Sequence, residues 1–203
     1  MERYTIAMEI TFDAPRTALL AMDCQTGIVS VYAKSPDDFL SRASSVLIAA
    51  RAVGMLVVQV QVGFRPGLPE VSTHNKLFGA IKTSTPHQEF FQGSSGAIHP
   101  TLGPDPADVI LTKHRVSAFV GTDLEMLLRA NEIETIVLFG IATSGVVLST
   151  LLQASDADYR LVVIADCCAD RDLELHAALL ERLFPTRAEV ISAKDFVSTL
   201  PPH

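Results

Sequence analysis

The sequence predicts an α/β protein built on a doubly wound, mainly parallel sheet, and three observations carry that reading. Short β-branched runs alternate with longer stretches of helical periodicity, the pattern of strands joined by crossover helices. Apolar residues make up 48% of the chain and charged residues 19%, which supplies a large core and excludes disorder. The 203 residues fit one domain of ordinary size, spanning residues 1–203.

Taken in order, Thr17–Met22 reads as the first strand. Leu40, Ala43, Leu47 and Ala50 then recur at helical spacing behind Ser35-Pro36-Asp37-Asp38, a helix-start signal, and Gly54 closes that helix. Residues 55–62 form a second strand. A Gly/Pro-punctuated excursion over 63–106 follows, weakly periodic apart from a short helix near 75–81, and an excursion of that length usually carries function. Further strands are expected at 109–112, 135–139, 161–165 and 188–191. Helices are expected at 122–130, 145–156 and 173–183, with a terminal helical turn or two at 193–200.

Charge and composition exclude several function classes. Lys and Arg number 16 against 23 Asp and Glu, and the formal charge of −7 repels phosphate backbones and anionic lipid. Neither nucleic acid nor a membrane is an expected partner. Residues 1–10 carry Glu2, Arg3 and Glu9 and lack the apolar segment of a secretory signal. The longest uncharged stretch, 135–155, is interrupted by Gly140, Thr143, Ser144, Gly145, Ser149 and Thr150, so it reads as a buried strand entering a buried helix. Cys24, Cys167 and Cys168 cannot all pair, which fits a reducing, cytoplasmic setting.

In a doubly wound sheet the ligand site lies beyond the carboxyl ends of the strands. The residues there are Asp23, 63–65, 113–115, 141–145 and Asp166. Asp23 and Lys113 are expected to meet in one crevice, where each holds the other ionised and one moves a proton. A salt bridge without chemistry is the alternative.

Three local strings make the reading more specific. Thr17-Ala-Leu-Leu-Ala-Met-Asp23-Cys-Gln25, then Lys113-His-Arg-Val-Ser-Ala-Phe119 with Gly121-Thr122-Asp-Leu124, then Val137-Leu-Phe-Gly140-Ile-Ala-Thr143-Ser-Gly-Val146-Val-Leu-Ser-Thr150 together resemble the isochorismatase-like hydrolase superfamily. The resemblance runs over residues 17–191, including Asp166-Cys-Cys168-Ala and His176. It implies a six-stranded sheet in a Rossmann-like three-layer sandwich and assembly as a homodimer or homotetramer. It also implies a hydrolase acting on a small molecule, most members cleaving amide-like C–N bonds through an Asp, Lys, Cys triad.

Residue by residue, Asp23 matches the acid/base aspartate of that family and Lys113 its lysine. The nucleophilic cysteine of the family falls six residues after the glycine of the strand-four turn, where this chain has Val146. A valine has no lone pair for attack on a carbonyl, so the covalent thioester route cannot run there. Cys24, Cys167 and Cys168 are expected to pack. The isochorismatases proper work with a glycine at that position, their aspartate serving as the acid, so catalysis without a cysteine has a precedent within the resemblance. The turn after strand four is further implied to carry a cis peptide, by position Ile141-Ala142. Val146 is expected in the first helical turn beyond it, with the amides of 143–146 facing the crevice as anion donors.

Around this pair, Ala142, Thr143, Ser144 and Val146 are expected to contact substrate, the two hydroxyls otherwise serving as helix caps. Arg65 would pair with a carboxylate if the substrate is an anion, or else form a surface salt bridge. Phe64 and Phe119 would wall the pocket, with core packing as their alternative. No metal is expected. Zinc-holding members use an Asp-x-His pair after strand two, where this chain reads Gly63-Phe-Arg-Pro-Gly-Leu-Pro-Glu70. His74, His87, His99, His114, His176 and His203 lack partners at ligand spacing, and no cofactor is implied. Two readings remain: a hydrolase in which Asp23 and Lys113 activate water on a small molecule, an anion being one candidate, and a small-molecule-binding or structural protein on the same fold whose catalytic centre went with the cysteine.

Overall fold

The computed structural model describes residues 10–201, so residues 1–9, with the Glu2, Arg3 and Glu9 weighed above, and residues 202–203, with His203, lie outside the described region. Six strands, β1 (Thr17–Met22), β2 (Leu56–Val62), β3 (Val109–Lys113), β4 (Thr135–Ile141), β5 (Arg160–Ala169) and β6 (Glu189–Ile191), pair in the order β3-β2-β1-β4-β5-β6. Every pairing is parallel. Helices flank the sheet: α1 (Thr26–Tyr32), α2 (Pro36–Ala52), α3 (Lys76–Lys82), α4 (Thr85–Phe90), α5 (Gly93–Gly96), α6 (Leu124–Ala130), α7 (Leu148–Asp156), α8 (Leu173–Ala178) and α9 (Ala193–Thr199).

Burial on both faces of the sheet explains the apolar runs. All six residues of β1 are buried, as are Ile136 to Ile141 of β4. In α2, Phe39, Leu40, Ala43, Val46, Leu47 and Ala50 form the buried stripe. Its start rests on Pro36 in the first turn and the acids Asp37 and Asp38 rather than on a side-chain cap, because the Ser35 hydroxyl makes no capping bond. Gly54 follows at φ +80°, the left-handed stop the sequence signals.

The chain lays β2 and β3 on one side of β1 and then returns to place β4 on the other. The crevice at this reversal opens beyond the carboxyl ends of β1 and β4. Met22 and Gly140 lie opposite each other there.

Most boundaries fall within two residues of expectation, and three differ in kind. β5 continues to Ala169 because its register against β4 jumps between Leu138 and Gly140, which draws 166–168 into the strand. The helix after β4 begins as a π turn over Thr143–Val147 and becomes α-helical only at Leu148. The expected 173–183 helix likewise ends as α at Ala178 and closes with a π turn over Leu179–Leu183. α1, α4 and α5 are additions. The α1 sequence, rich in Gly27, Ile28, Val29 and Val31, has low helix propensity and is held by packing. A Cβ on Gly27 would run into Phe90 and Ser95, so glycine permits this close approach.

Candidate active site

Asp23 is the first residue beyond β1. Its φ of +54° turns the chain sharply, and its N–H donates to the Val60 carbonyl at 2.8 Å. Lys113 ends β3, two strands away, so its stem must cross the end of β2, a span of about 10 Å at normal strand spacing. It does so: Lys113 Nζ lies 2.8 Å from Asp23 Oδ2 and donates to the Arg115 carbonyl at 3.0 Å. Both side chains are buried.

The other carboxylate oxygen, Asp23 Oδ1, is buried and has no hydrogen-bond partner among the described residues. Burial pushes the Asp23 carboxyl above its ordinary value, and the Lys113 charge and hydrogen bond, which pull it down, offset this only in part. With Oδ2 held by the ammonium, Oδ1 is the oxygen left to exchange a proton.

The turn after β4 forms the next wall, and its Ile141-Ala142 peptide is cis. Asp170 fastens this turn from the end of β5. Its Oδ2 accepts from both the Ser144 amide and the Ser144 hydroxyl, each at 2.7 Å. The Gly145 and Val147 amides donate to the Ala142 carbonyl at 3.1 and 3.3 Å. The expectation that the amides of this turn face the crevice as anion donors is therefore corrected for Ser144 and Gly145. Asp170, rather than a turn hydroxyl, caps the helix start.

Beside the pair lies a cavity of about 170 Å³. Ile141, Ala142, Gly145 and Val146 of the turn after β4 line it, together with Phe78, Ile81, Phe90 and Phe91 from the 63–106 excursion. Asn75 caps α3 through bonds to the Leu77 and Phe78 amides, which fixes Phe78 in place. Lys82 secures the helix by donating to the Leu68 and Val71 carbonyls. Gln25, fully buried, joins the excursion to β2: its amide accepts from Val62 N and donates to the Val62 and Gly96 carbonyls.

The structure therefore brings Asp23, Lys113, Ala142 and Val146 to one cavity and places the remaining sequence candidates elsewhere. Phe64 sits behind the wall, edge-on to Phe78 and Phe91 at 5.8 and 5.5 Å between ring centroids. Phe119 is buried in the main core. The Arg65 side chain is 63% exposed and lies 3.9 Å from the Glu70 carboxylate, the surface pairing that stood as its alternative. Thr143 Oγ1 donates to the Ala169 carbonyl at 3.2 Å and lies 2.8 Å from His176 Nδ1, away from the cavity. Burial pushes the His176 imidazole below its ordinary value, against the opposing charge of Asp170.

Sequence reasoning missed Gln25, Asp170 and the three phenylalanines. Only Gln25 carried a signal, its place inside the first string. Among the described residues no group of three or more His, Cys, Asp or Glu side chains is arranged to hold a metal ion. No described helix is long and apolar enough to cross a membrane.

All three thiols are buried and none lines the cavity. Burial pushes Cys24 and Cys167 far above the ordinary thiol value, with help from neighbouring charges, and takes Cys168 to about 12. Iodoacetamide should accordingly leave the native protein unmodified over hours and add three carbamidomethyl groups after denaturation, read by intact mass. Rapid labelling of any one cysteine in the native state would contradict this placement.

The isochorismatase domain family model matches residues 17–195. YecD, an uncharacterised isochorismatase family protein of Escherichia coli O157:H7, is 31% identical over 195 residues, covering 94% of this chain and 100% of its own. Ureidoacrylate amidohydrolase RutB of Methylorubrum extorquens is 34% identical over 178 residues, covering 77% of this chain and 71% of its own. Among solved structures, an isochorismatase family protein from Burkholderia thailandensis superposes with a TM-score of 0.80 at 32% identity, covering 94% of this chain and 97% of that one.

Proposed function

The chain belongs to the isochorismatase family of hydrolases, and from that premise we propose that it hydrolyses a small molecule by direct attack of water, without a protein nucleophile. Asp23 moves the proton and Lys113 steadies the developing negative charge. The observation that carries this reading is the buried Asp23–Lys113 contact of 2.8 Å at the wall of an otherwise apolar cavity. A buried ion pair seldom stabilises a fold more than apolar packing would, so its presence here favours a chemical role.

In this reading water loses a proton to Asp23 Oδ1 as its oxygen adds to the substrate carbonyl, and Asp23 then returns that proton to the leaving nitrogen or oxygen as its bond to the carbonyl carbon breaks, which releases the acid and the amine or alcohol and restores the carboxylate. The raised proton affinity of the carboxyl makes it a better base than an ordinary aspartate. Val146 occupies the position a cysteine would need, and its isopropyl group forms cavity wall instead. The name of the Methylorubrum relative puts amides among the bonds to be tried first.

A screen of amides, esters and vinyl ethers with the intact protein tests the reading. Turnover that survives iodoacetamide supports it, whereas loss of turnover traced to alkylation of one cysteine restores a covalent mechanism. No turnover in any class overturns it in favour of a binding protein.

The pH dependence has a definite sign. The base form of Asp23 is lost as pH falls through its raised folded value, so the rate should collapse on an acid limb lying above the ordinary carboxylate value of about 3.9. Stability should move the opposite way. A folded value raised above the unfolded one contributes stability that is full below the unfolded value and is lost as pH rises through the folded one. The difference in unfolding free energy between wild type and Asp23→Asn, followed across that window, isolates this contribution. A difference that is flat with pH would contradict the raised value.

A further inference from the structure

We propose that the cavity selects an uncharged small molecule with an apolar body and one terminal group that both donates and accepts hydrogen bonds, and that it discriminates against carboxylates. This deepens the hydrolytic reading of Asp23 and Lys113 and rests on it. Asp23 and Lys113 form an ion pair with each other, and the other ionisable lining residue is Tyr32, a phenol. Apart from these three the lining side chains are hydrocarbon, Phe78, Ile81, Phe91 and Val146 among them.

Among the described residues an incoming carboxylate would meet no unpaired cation at the cavity. Arg65 is turned out to Glu70, and Arg115 donates to the carbonyls of His114 and Glu70 with its guanidinium 5.8 Å from the Phe78 ring centroid. Burying an anion without a counter-ion, next to an aspartate, is strongly unfavourable.

The polar end has one unused group of each kind. Asp23 Oδ1 is a buried acceptor with no donor among the described residues. Lys113 has three ammonium protons, of which Asp23 and the Arg115 carbonyl account for two. A neutral group with adjacent C=O and N–H satisfies both, its oxygen accepting from Lys113 and its N–H donating to Asp23. The cavity of about 170 Å³ suits a single ring or a compact branched aliphatic body, since an apolar cavity of ~150 Å³ takes a benzene.

Isothermal titration of the full chain near neutral pH with matched pairs tests this: benzamide and benzoate, cyclohexanecarboxamide and cyclohexanecarboxylate, isobutyramide and isobutyrate. In at least one pair the amide should bind tenfold or more tightly than its acid, and the ring compounds should exceed acetamide by a similar factor. Leu77 lies at the cavity and is 60% exposed, so Leu77→Arg can be made without disturbing the core. It should narrow the preference by raising affinity for the acids.

Acids that bind as well as their amides, acetamide matching the ring amides, or no binding by any amide would each overturn the proposal. Amide binding without turnover would overturn the hydrolytic reading and leave this selectivity standing. Hydrolysis confined to carboxylate substrates would do the reverse.

Discussion

Asp23→Asn should reduce turnover by about a thousandfold, within the range of roughly a hundred to ten thousand that a positioned acid or base contributes. The amide keeps the size of the carboxyl and can still bond to Lys113, but it cannot take a proton from water. The variant should fold with a wild-type circular dichroism spectrum, so its loss is chemical. Removing the partner tests the same unit from the other side. Lys113→Ala should lower turnover nearly as far, because the buried carboxylate then loses the one neighbour that favours its ionised form.

Two readouts separate this from simple unfolding. The acid limb of any residual activity should move to higher pH in Lys113→Ala, since burial is then unopposed. Breaking a buried pair also costs about 3 to 5 kcal/mol, whereas replacing both members at once by apolar residues is often neutral, so Asp23→Leu/Lys113→Met should regain stability relative to Lys113→Ala without regaining activity. Full activity in Asp23→Asn would remove this aspartate from the chemistry altogether.

Gly140→Ala should be among the most destabilising single substitutions in the protein, costing about 4 kcal/mol or more and leaving little soluble product. Gly140 sits at φ +151°, where side chains are strained. Its added Cβ would collide with the carbonyl oxygen of Met22 on the adjacent central strand. Neither strand can move aside, because β1 is paired to β2 and β4 to β5. Gly121→Ala is the control. Gly121 has φ +74° with no heavy atom within 4 Å of the added Cβ, so it should show only the backbone term of about 1 kcal/mol. Urea unfolding of the two variants decides the matter, and a Gly140→Ala protein within 1 kcal/mol of wild type would refute the collision.

The strands were legible because their signal is local. β1 and β4 are runs of apolar residues long enough to bury both faces, and such runs are visible without knowing their neighbours. α1 was not legible, since its residues disfavour a helix and only contact with the 90–95 region makes one. The extension of β5 was hidden for a related reason, because its register jump arises from pairing with β4.

The sequence by itself determined the fold class, the places of Asp23 and Lys113, and the valine where the family has a thiol. A parallel sheet sends the end of every strand to one edge, so a residue's position along its own strand suffices to bring it there. Tertiary structure alone decided what surrounds the pair. Phe78, Phe90 and Phe91 reach the cavity because the 63–106 excursion folds back over the sheet, an arrangement held by Gln25 bonding across to Gly96. Asp170 reaches the Ser144 amide from the end of another strand, and Arg65 leaves the crevice because Glu70 lies outside it. These outcomes depend on contacts between distant segments and on the competition of each charge for the nearest partner, and neither is written in the spacing of residues along the chain.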